Sequence, residues 1–534
     1  MHSEGLVYNI IEDCLIECKQ LLSSSQWMTY TRRAISDVEK RMCEPMQLAI
    51  VGRISSSKST LVNAILGKPE VVRTGHEAET FNVSWLKYGD DEAPIVVYFK
   101  DGHSQAVERQ EWVEWASHKG EQTLKTDVKY IEVTSSYEML KYINIIDTPG
   151  LDATSKIDSE NTIEFLKTVN PDAVILLFSK SLSEDTLKLI NEFQNSETKL
   201  SFSINPMNAL GVLSKVDMNW DIMNDKDPIK SSDSSIKRTL SSRSDVNKVL
   251  FRILPVSALM GLASSVVTED DIVAFKEIAK LDEKNITKLF ISSDFFIKEY
   301  DFLNLSTECR EQLLLKYGLY GIYVCVREVQ NNVDVNTSDI SKVLNHRSGF
   351  DQFIKLVISH FGDRAQLIKA QRGVIALLDA VNKDRINAIG QEQLNVINSV
   401  YSNIISIEND LHELKEWALL LKIYEDKVKV EDDFMKEFLL ISGESGYSAV
   451  DKLSISSSTD VSEMVFIANE RYNYWKTKYN AWYALSPTKA EPYYVIAKSY
   501  ELLATRIEEQ FENFQKALRT IKIYNHYIYG KDVL

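Results

Sequence analysis

Apolar positions along this chain follow three successive patterns. Over residues 5 to 42 they recur at helical steps: Val7, Ile11, Cys14 and Cys18 are spaced by four, three and four, which predicts helix. At 47–51 the pattern changes to a short apolar run ending in glycine. From there to about residue 257, compact apolar runs alternate with amphipathic stretches. Strands are expected at 47–51, 81–88, 95–99, 142–146, 172–178, 209–213 and 251–256. The run Ala173-Val174-Ile175-Leu176-Leu177-Phe178 is apolar on both faces, as strands inside a parallel sheet are. Residues 218–248 are polar and read as loop with short helix. Residues 259–316 read as inserted helices, 320–326 as one more strand, and Phe350, Ile354, Val357, Ile358 and Phe361 as a helical stripe.

After about residue 363 helix takes over. No proline occurs from 364 to 442, and Ile397, Val400, Ile404, Ile407, Leu411, Leu414, Ala418 and Leu421 step by three and four. That is a heptad seam; thirty residues of such helix reach ~45 Å. Gly443 and Gly446 interrupt it, and 454–462 is polar. A second helical arm runs to about 485, Ser486-Pro487 ends it, and a last helix follows from about 490 to 526. The expected organisation is an N-terminal helix, 1–43, packed with a stalk. An α/β head follows over 44–362, and then a helical stalk over 363–534 with its tip near 430–465. The fold class is therefore an α/β head, mostly parallel sheet with helices on both faces, plus a long all-α helical-bundle stalk; the run Gly52-Arg53-Ile54-Ser55-Ser56-Ser57-Lys58-Ser59-Thr60 makes it a P-loop head.

Charge narrows the partners. The formal net charge is -16, which argues against nucleic acid as a partner and against simple electrostatic attachment to anionic lipid. The five cysteines, Cys14, Cys18, Cys43, Cys309 and Cys325, show no CxxC metal spacing, so a reducing, cytoplasmic setting fits. No secretory leader pattern and no apolar run of ~18 residues is found, so membrane contact is expected to be peripheral.

Four segments carry chemistry. Gly52-Arg53-Ile54-Ser55-Ser56-Ser57-Lys58-Ser59-Thr60 follows a strand and opens a helix. It matches G-x-x-x-x-G-K-[ST] with Ser57 in place of the second glycine, a loop whose backbone N–H groups surround phosphates. Lys58 would reach the β- and γ-phosphates and Ser59 would hold Mg²⁺. Ser57 puts a side chain where backbone must approach phosphate and where positive φ is costly. Second, the strand ending Ile145-Ile146 runs into Asp147-Thr148-Pro149-Gly150, where Asp147 would hold Mg²⁺ through water and the Gly150 amide would sense the γ-phosphate. Third, Ser214-Lys215-Val216-Asp217 matches the guanine-reading pattern [NT]KxD. Asp217 would accept from guanine N1 and N2, and the Lys215 stem would cover the ring. Ser214 stands where Asn or Thr is usual, which leaves one orienting hydrogen bond in question. Fourth, Ser257-Ala258 resembles the SA(K) loop, whose backbone contacts the guanine oxygen; Leu259 stands where lysine is common. Between the first two lies a threonine expected to reach Mg²⁺ and γ-phosphate. Thr80 is the first choice and Thr74 the alternative. The order of these motifs predicts a domain that binds GTP/GDP with Mg²⁺.

With these residues in view the chain resembles the dynamin superfamily, and within it the LeoA-like branch of bacterial dynamin-like proteins. Ser55 within the P-loop, the 95-residue separation of Gly52 and Asp147, and the Ser348-Gly349-Phe350 helix leading into long helices carry the resemblance. It implies GTP binding and hydrolysis, self-association through heads or stalks, and peripheral contact with membrane lipid in membrane remodelling or vesicle formation. Ile54 stands where dynamins often place a water-orienting glutamine, and Leu151 follows the DxxG motif, so slow intrinsic turnover is expected. Arg53 is a candidate finger for transition-state charge, or an exposed loop arginine. The run Phe434, Met435, Phe438, Leu439, Leu440 and Ile441 would insert into lipid or pack within the bundle. The stripe Tyr472, Tyr474, Trp475, Tyr479, Trp482 and Tyr483 is read mainly as bundle core or rim.

Overall fold

The computed structural model describes residues 2–23, 27–53, 55–68, 82–111, 127–150, 171–179, 206–243, 249–332, 334–362, 364–424, 427–444 and 448–529, with a few isolated positions between them. The chain divides into two compact units, one formed by residues 44–362 and the other by 1–43 together with 363–534.

The first unit is built on a nine-stranded sheet. Its strands are β1 (Met46–Gly52), β2 (Ser84–Tyr88), β3 (Ile95–Phe99), β4 (Ser104–Val107), β5 (Val128–Ser135), β6 (Ile143–Asp147), β7 (Ala173–Ser179), β8 (Ala209–Ser214) and β9 (Ile253–Val256). They lie in the order β4-β3-β5-β2-β6-β1-β7-β8-β9. From β6 to β9 every pairing is parallel, while β2 joins β6 antiparallel and β3 is antiparallel to both its neighbours. The central strands are apolar throughout because both faces are covered. Ala49, Val51, Val174, Leu176 and Phe178 share a core with Ile236 of the helix Pro228–Ser242, and the alternating Leu48, Ile50, Ile175 and Leu177 are equally buried. Strands β4 and β5 are additions to the sequence reading. In β5 buried residues alternate with partly exposed ones, and β4 is exposed at its first three positions. Their signal is correspondingly weaker than that of β7.

The expected strand at 320–326 is corrected. These residues lie inside the helix Thr307–Asn331. Tyr320, Ile322, Tyr323, Val324, Cys325 and Val326 are all buried in a second core with Trp220, Phe275 and Phe290. A helix buried all round presents the same unbroken apolar run as a buried strand.

In the second unit the N-terminal segment forms two helices, His2–Leu22 and Thr29–Cys43, rather than one. The helix Thr29–Cys43 has no acidic residue in its first turn, so its free N–H groups need an acceptor from elsewhere. Asp384, at the end of the helix Ala365–Ile386, supplies it. Its carboxylate accepts from Thr31 N at 2.8 Å, Thr31 Oγ1 at 2.7 Å and Tyr30 N at 3.4 Å. Asp384 is only 1% exposed, so the cap is sealed from water. Asp384→Ala should destabilise this unit by about 2–4 kcal/mol, the scale of a lost cap plus buried donors left unpaired. Denaturant unfolding followed by circular dichroism measures it; a loss below about 0.5 kcal/mol, the scale of an ordinary surface change, contradicts the capping argument.

The heptad seam is also interrupted. Ile397, Val400, Ile404, Ile407, Leu411 and Leu414 are buried, but Leu411 adopts an extended conformation (φ -108°, ψ 90°) between the helices Gln391–Asp410 and His412–Tyr424. One extended residue rotates the following helix about its axis. Trp417, Leu419 and Leu420 then face inward while Ala418 is exposed. The apolar run near Gly443 forms the helix Asp432–Ile441. Phe434, Phe438 and Ile441 are buried, and the Phe434 ring packs edge-on against Trp475 and Tyr493 at 5.4 and 5.6 Å between centroids. Trp475 belongs to the helix Val461–Tyr483. Along that helix Tyr474 and Tyr483 stay about half exposed. The last helix, Pro487–Tyr529, starts earlier than expected, with Pro487 at its first position, where a missing N–H costs nothing. Among the described residues no helix is long and apolar enough to cross a membrane.

Candidate functional site

The motif residues gather at the carboxyl ends of adjacent parallel strands. Gly52 ends β1, Asp147 ends β6, Ser214 ends β8, and Ser257 follows β9. β1 has β6 on one side and β7 on the other, and such a reversal of strand order opens the crevice where α/β sheets take ligands.

The P-loop turns from β1 into the helix Lys58–Leu66. Gly52 is required by close packing: a Cβ there would sit 2.7 Å from Ser56 Oγ and 2.8 Å from the Leu177 carbonyl oxygen. Ser55 and Ser57 both have positive φ, 59° and 66°. Ser57 thus adopts the left-handed conformation that a glycine enters freely, at a cost of about 1–2 kcal/mol for a residue with a side chain. Lys58 is buried, and its ammonium donates to the carbonyls of Gly52 at 3.1 Å and Arg53 at 3.0 Å, which draws it back across the loop. Ser59 and Thr60 are partly buried on the first turn of that helix, and Arg53 is partly buried just before the turn.

Asp147 is fully buried. Its Oδ2 accepts from Ser59 Oγ at 3.3 Å, and its Oδ1 is a buried oxygen with no hydrogen-bond partner. Burial pushes its carboxyl up to about 6, while the nearby Lys58 and the Ser59 hydroxyl pull the other way. A buried carboxylate with an unused oxygen beside a serine hydroxyl is a hard-oxygen donor set, and it fits Mg²⁺, which takes few protein ligands and keeps its waters. No group of three His, Cys, Asp or Glu side chains arranged for a metal occurs among the described residues. Next to Asp147, Thr148 Oγ1 donates to the Ile50 carbonyl at 2.8 Å, tying the ends of β6 and β1 together. Gly150 is buried.

The Ser214–Asp217 segment meets the P-loop directly. The Ser214 hydroxyl lies 2.8 Å from the Ser56 carbonyl and 2.9 Å from the Phe178 carbonyl. It therefore ties β8 to the phosphate loop, although the side chain is shorter than the expected Asn. Lys215 takes positive φ, 57°, and turns the chain so that Asp217 faces Ser257. Burial raises the Asp217 carboxyl, opposed by a hydrogen bond from the Ser257 side chain and by the Lys215 charge. Ser257 also caps the helix Ala258–Ser264 by accepting from Met260 N at 3.4 Å. The Ser257 N–H donates to the Ser348 carbonyl at 2.9 Å, so the segment 348–350 is packed against this loop. Two contacts of the site have no signal in its motifs: the Thr148 hydroxyl on the Ile50 carbonyl and the Ser257 N–H on the Ser348 carbonyl. Ile54, Thr74, Thr80 and Leu151 lie outside the described residues.

Fold and crevice together define a P-loop nucleotide-binding domain of the GTPase type joined to a helical unit. Residues 48–216 match the model of the Dynamin family. The isoniazid-induced protein IniC of Mycobacterium tuberculosis (strain H37Rv) is 23% identical over 422 residues, covering 78% of this chain and 81% of that protein. Dynamin-like protein 2 of Campylobacter jejuni is 26% identical over 175 residues, 32% of this chain and 28% of its own. A solved structure of an oligomerised bacterial dynamin pair aligns over 97% of this chain and 78% of its own, at 16% identity and a TM-score of 0.30. Residues 48–216, the part that carries the phosphate loop and Asp147, are thus similar to the Dynamin family.

Proposed function

We propose that this protein binds GTP and GDP with Mg²⁺ in the crevice above β6, β1, β8 and β9, hydrolyses GTP slowly, and couples nucleotide state to membrane remodelling or vesicle formation. The observation that carries the reading is the pairing of Ser59 with Asp147 beside an unused, buried carboxylate oxygen, next to Lys58 of the phosphate turn. In this reading the backbone of Gly52, Ser55, Ser56, Ser57 and Thr60 and the Gly150 amide bind phosphate oxygens. Lys58 leaves its two carbonyl partners for the β- and γ-phosphates. Ser59 and Asp147, with Thr80, hold Mg²⁺, which when bound neutralises charge between the β- and γ-phosphates. Lys215, Asp217, Ser257 and Ala258 read the base, and Arg53 is the candidate for stabilising charge on the transferred phosphoryl group. Head or stalk contacts between copies, and peripheral contact with lipid, would convert nucleotide state into work on a membrane.

Two features favour a second reading, a nucleotide-regulated scaffold with little turnover. Ser57 holds a costly backbone conformation, and no glutamine stands at 54 or 151. Calorimetry with GTPγS and Mg²⁺ tests the site. Lys58→Ala should weaken binding at least about tenfold, the value of one charge-assisted hydrogen bond; unchanged affinity would remove Lys58 from the phosphate site. Turnover measured with and without lipid vesicles then separates the readings. Stimulation by vesicles supports coupling to membranes, and tight binding with no release of phosphate supports the scaffold.

A further inference from the structure

The helix Thr307–Asn331 is broken at one residue. Gly318 has φ 67° and ψ 166°, a region that residues with a side chain essentially do not enter. Both halves of the helix are pinned. Before the break, Lys316 Nζ and Tyr317 Oη donate to Asp271 Oδ2 at 2.6 and 2.8 Å, and Tyr317 is fully buried. Asp271 is itself fixed in a capping box with Thr268 at the start of the helix Glu269–Ala279. After the break, Tyr323 Oη donates to Asp225 Oδ2 at 2.9 Å. The other Asp225 oxygen accepts from Trp220 Nε1 at 3.3 Å, and the Trp220 N–H donates to the Asp217 carbonyl at 3.1 Å. The second half is thereby anchored on the turn that carries Asp217.

The break faces the base-reading carboxylate. A Cβ on Gly318 would stand 3.6 Å from Asp217 Oδ2 and 3.4 Å from Leu259 Cδ2. A methyl group there would lie in van der Waals contact with one carboxylate oxygen, covering its approach, and with the leucine that follows Ser257-Ala258. Continuing the helix through this point with an ordinary residue would also move the backbone relative to Asp217.

We propose that Gly318 is a positioning residue of the base site, one that keeps Asp217 Oδ2 open to the 2-amino edge of guanine while the two pinned halves of its helix hold the break beside that carboxylate. This rests on the guanine-reading role proposed above for Asp217. Two carboxylate oxygens facing two donors need both lone-pair directions free. Loss of access to one oxygen removes one charge-assisted hydrogen bond and leaves the phosphate contacts untouched. The consequence is specific to the base: guanine loses its advantage over hypoxanthine, which has the N1 donor but no 2-amino group.

The test is calorimetry on the full-length chain with GDP and inosine diphosphate in the presence of Mg²⁺, comparing wild type, Asp217→Ala, Gly318→Ala and Tyr323→Phe. Wild type should prefer GDP. Gly318→Ala should reduce the GDP-to-inosine-diphosphate affinity ratio roughly tenfold, the scale of one hydrogen bond to a charged group. Tyr323→Phe adds no volume at the site and releases only the second half of the helix; it should lower the ratio in the same direction by a smaller factor. A purely structural role for Gly318 would shift both affinities equally and leave the ratio unchanged, which overturns the proposal. Should Gly318→Ala fail to fold, an unchanged ratio in Tyr323→Phe overturns it. If Asp217→Ala abolishes the preference while the other two variants keep it, the Gly318 inference fails and the base-reading role stands. If Asp217→Ala keeps the wild-type ratio, both fail.

Discussion

Asp217→Ala should abolish the preference of this protein for guanine over adenine nucleotides. Guanine offers N1–H and a 2-amino group on the edge that a carboxylate can meet; adenine offers an unprotonated N1 and no amino group there. A site whose polar group is built to meet a substrate donor rejects a ligand lacking it by factors as large as about 10⁴–10⁵, because the buried acceptor is otherwise unpaired. In the proposed reading Asp217 is such an acceptor: partly buried, raised by desolvation, and steadied by Ser257 and Lys215. Losing two hydrogen bonds to a charged group should weaken GTPγS by about 100-fold or more, with ATPγS affinity nearly unchanged. Titration of both nucleotides into wild type and variant measures this. Equal weakening of both would mean that Asp217 supports the crevice without reading the base.

Asp147→Asn should separate stability from metal-dependent binding, with opposite signs. The Asp147 carboxyl titrates at about 6 in the folded chain against an ordinary 3.8, because burial penalises its charge more than Lys58 and Ser59 offset it. A group with a raised native pKa binds its proton more tightly folded than unfolded. Stability therefore falls as pH rises from about 4 to about 6, and the loss persists above that window. Asparagine keeps the shape without the charge, so at pH 7.5 the nucleotide-free variant should melt higher than wild type. At about 1.4 kcal/mol per pH unit, the gain is up to about 3 kcal/mol, and it should shrink toward zero near pH 4. The same variant should lose the tightening of nucleotide by Mg²⁺, since a neutral amide binds Mg²⁺ far more weakly than a carboxylate. In wild type that tightening should increase with pH through about 6 as Asp147 ionises. Melting curves at pH 4 and 7.5, with and without Mg²⁺ and GDP, read both effects. A variant that melts lower than wild type at pH 7.5 would show that the buried charge is stabilised by its neighbours after all.

Each site element combines local signals with neighbours distant in sequence. Gly52, Lys58 and Ser59 are legible because a strand, a tight turn and a helix follow one another between residues 46 and 66, and local chemistry sets that order. The contact of Ser214 with the Ser56 carbonyl was not legible: a serine where asparagine is usual looks like a lost hydrogen bond until β8 and the phosphate loop are seen side by side. Asp147 could be placed at the end of an apolar strand, but its unused oxygen and raised pKa follow from what packs over it. Ser57 has the opposite character. Its mismatch with the glycine pattern was plain, and the structure adds that the chain takes the left-handed conformation regardless.

What the sequence determined by itself was the set of apolar runs and the motifs at their ends. Runs such as 173–178 can bury both faces only inside a covered sheet, and the motif order selects a guanine-nucleotide crevice over other chemistry. What only the tertiary structure decided was the state of segments whose apolar pattern suits two conformations, and the partners of polar groups. Residues 320–326 are helix because a second core surrounds them on every side. The seam from Ile397 changes phase at Leu411 because one extended residue turns the next helix. Thr31 is capped by Asp384, 353 positions away, and Gly318 stands beside Asp217 because one half of its helix is tied to Asp271 and the other to the turn that carries Asp217. The physical reason is common to all four. Periodicity records that a side chain is buried, and only the folded chain supplies what buries it.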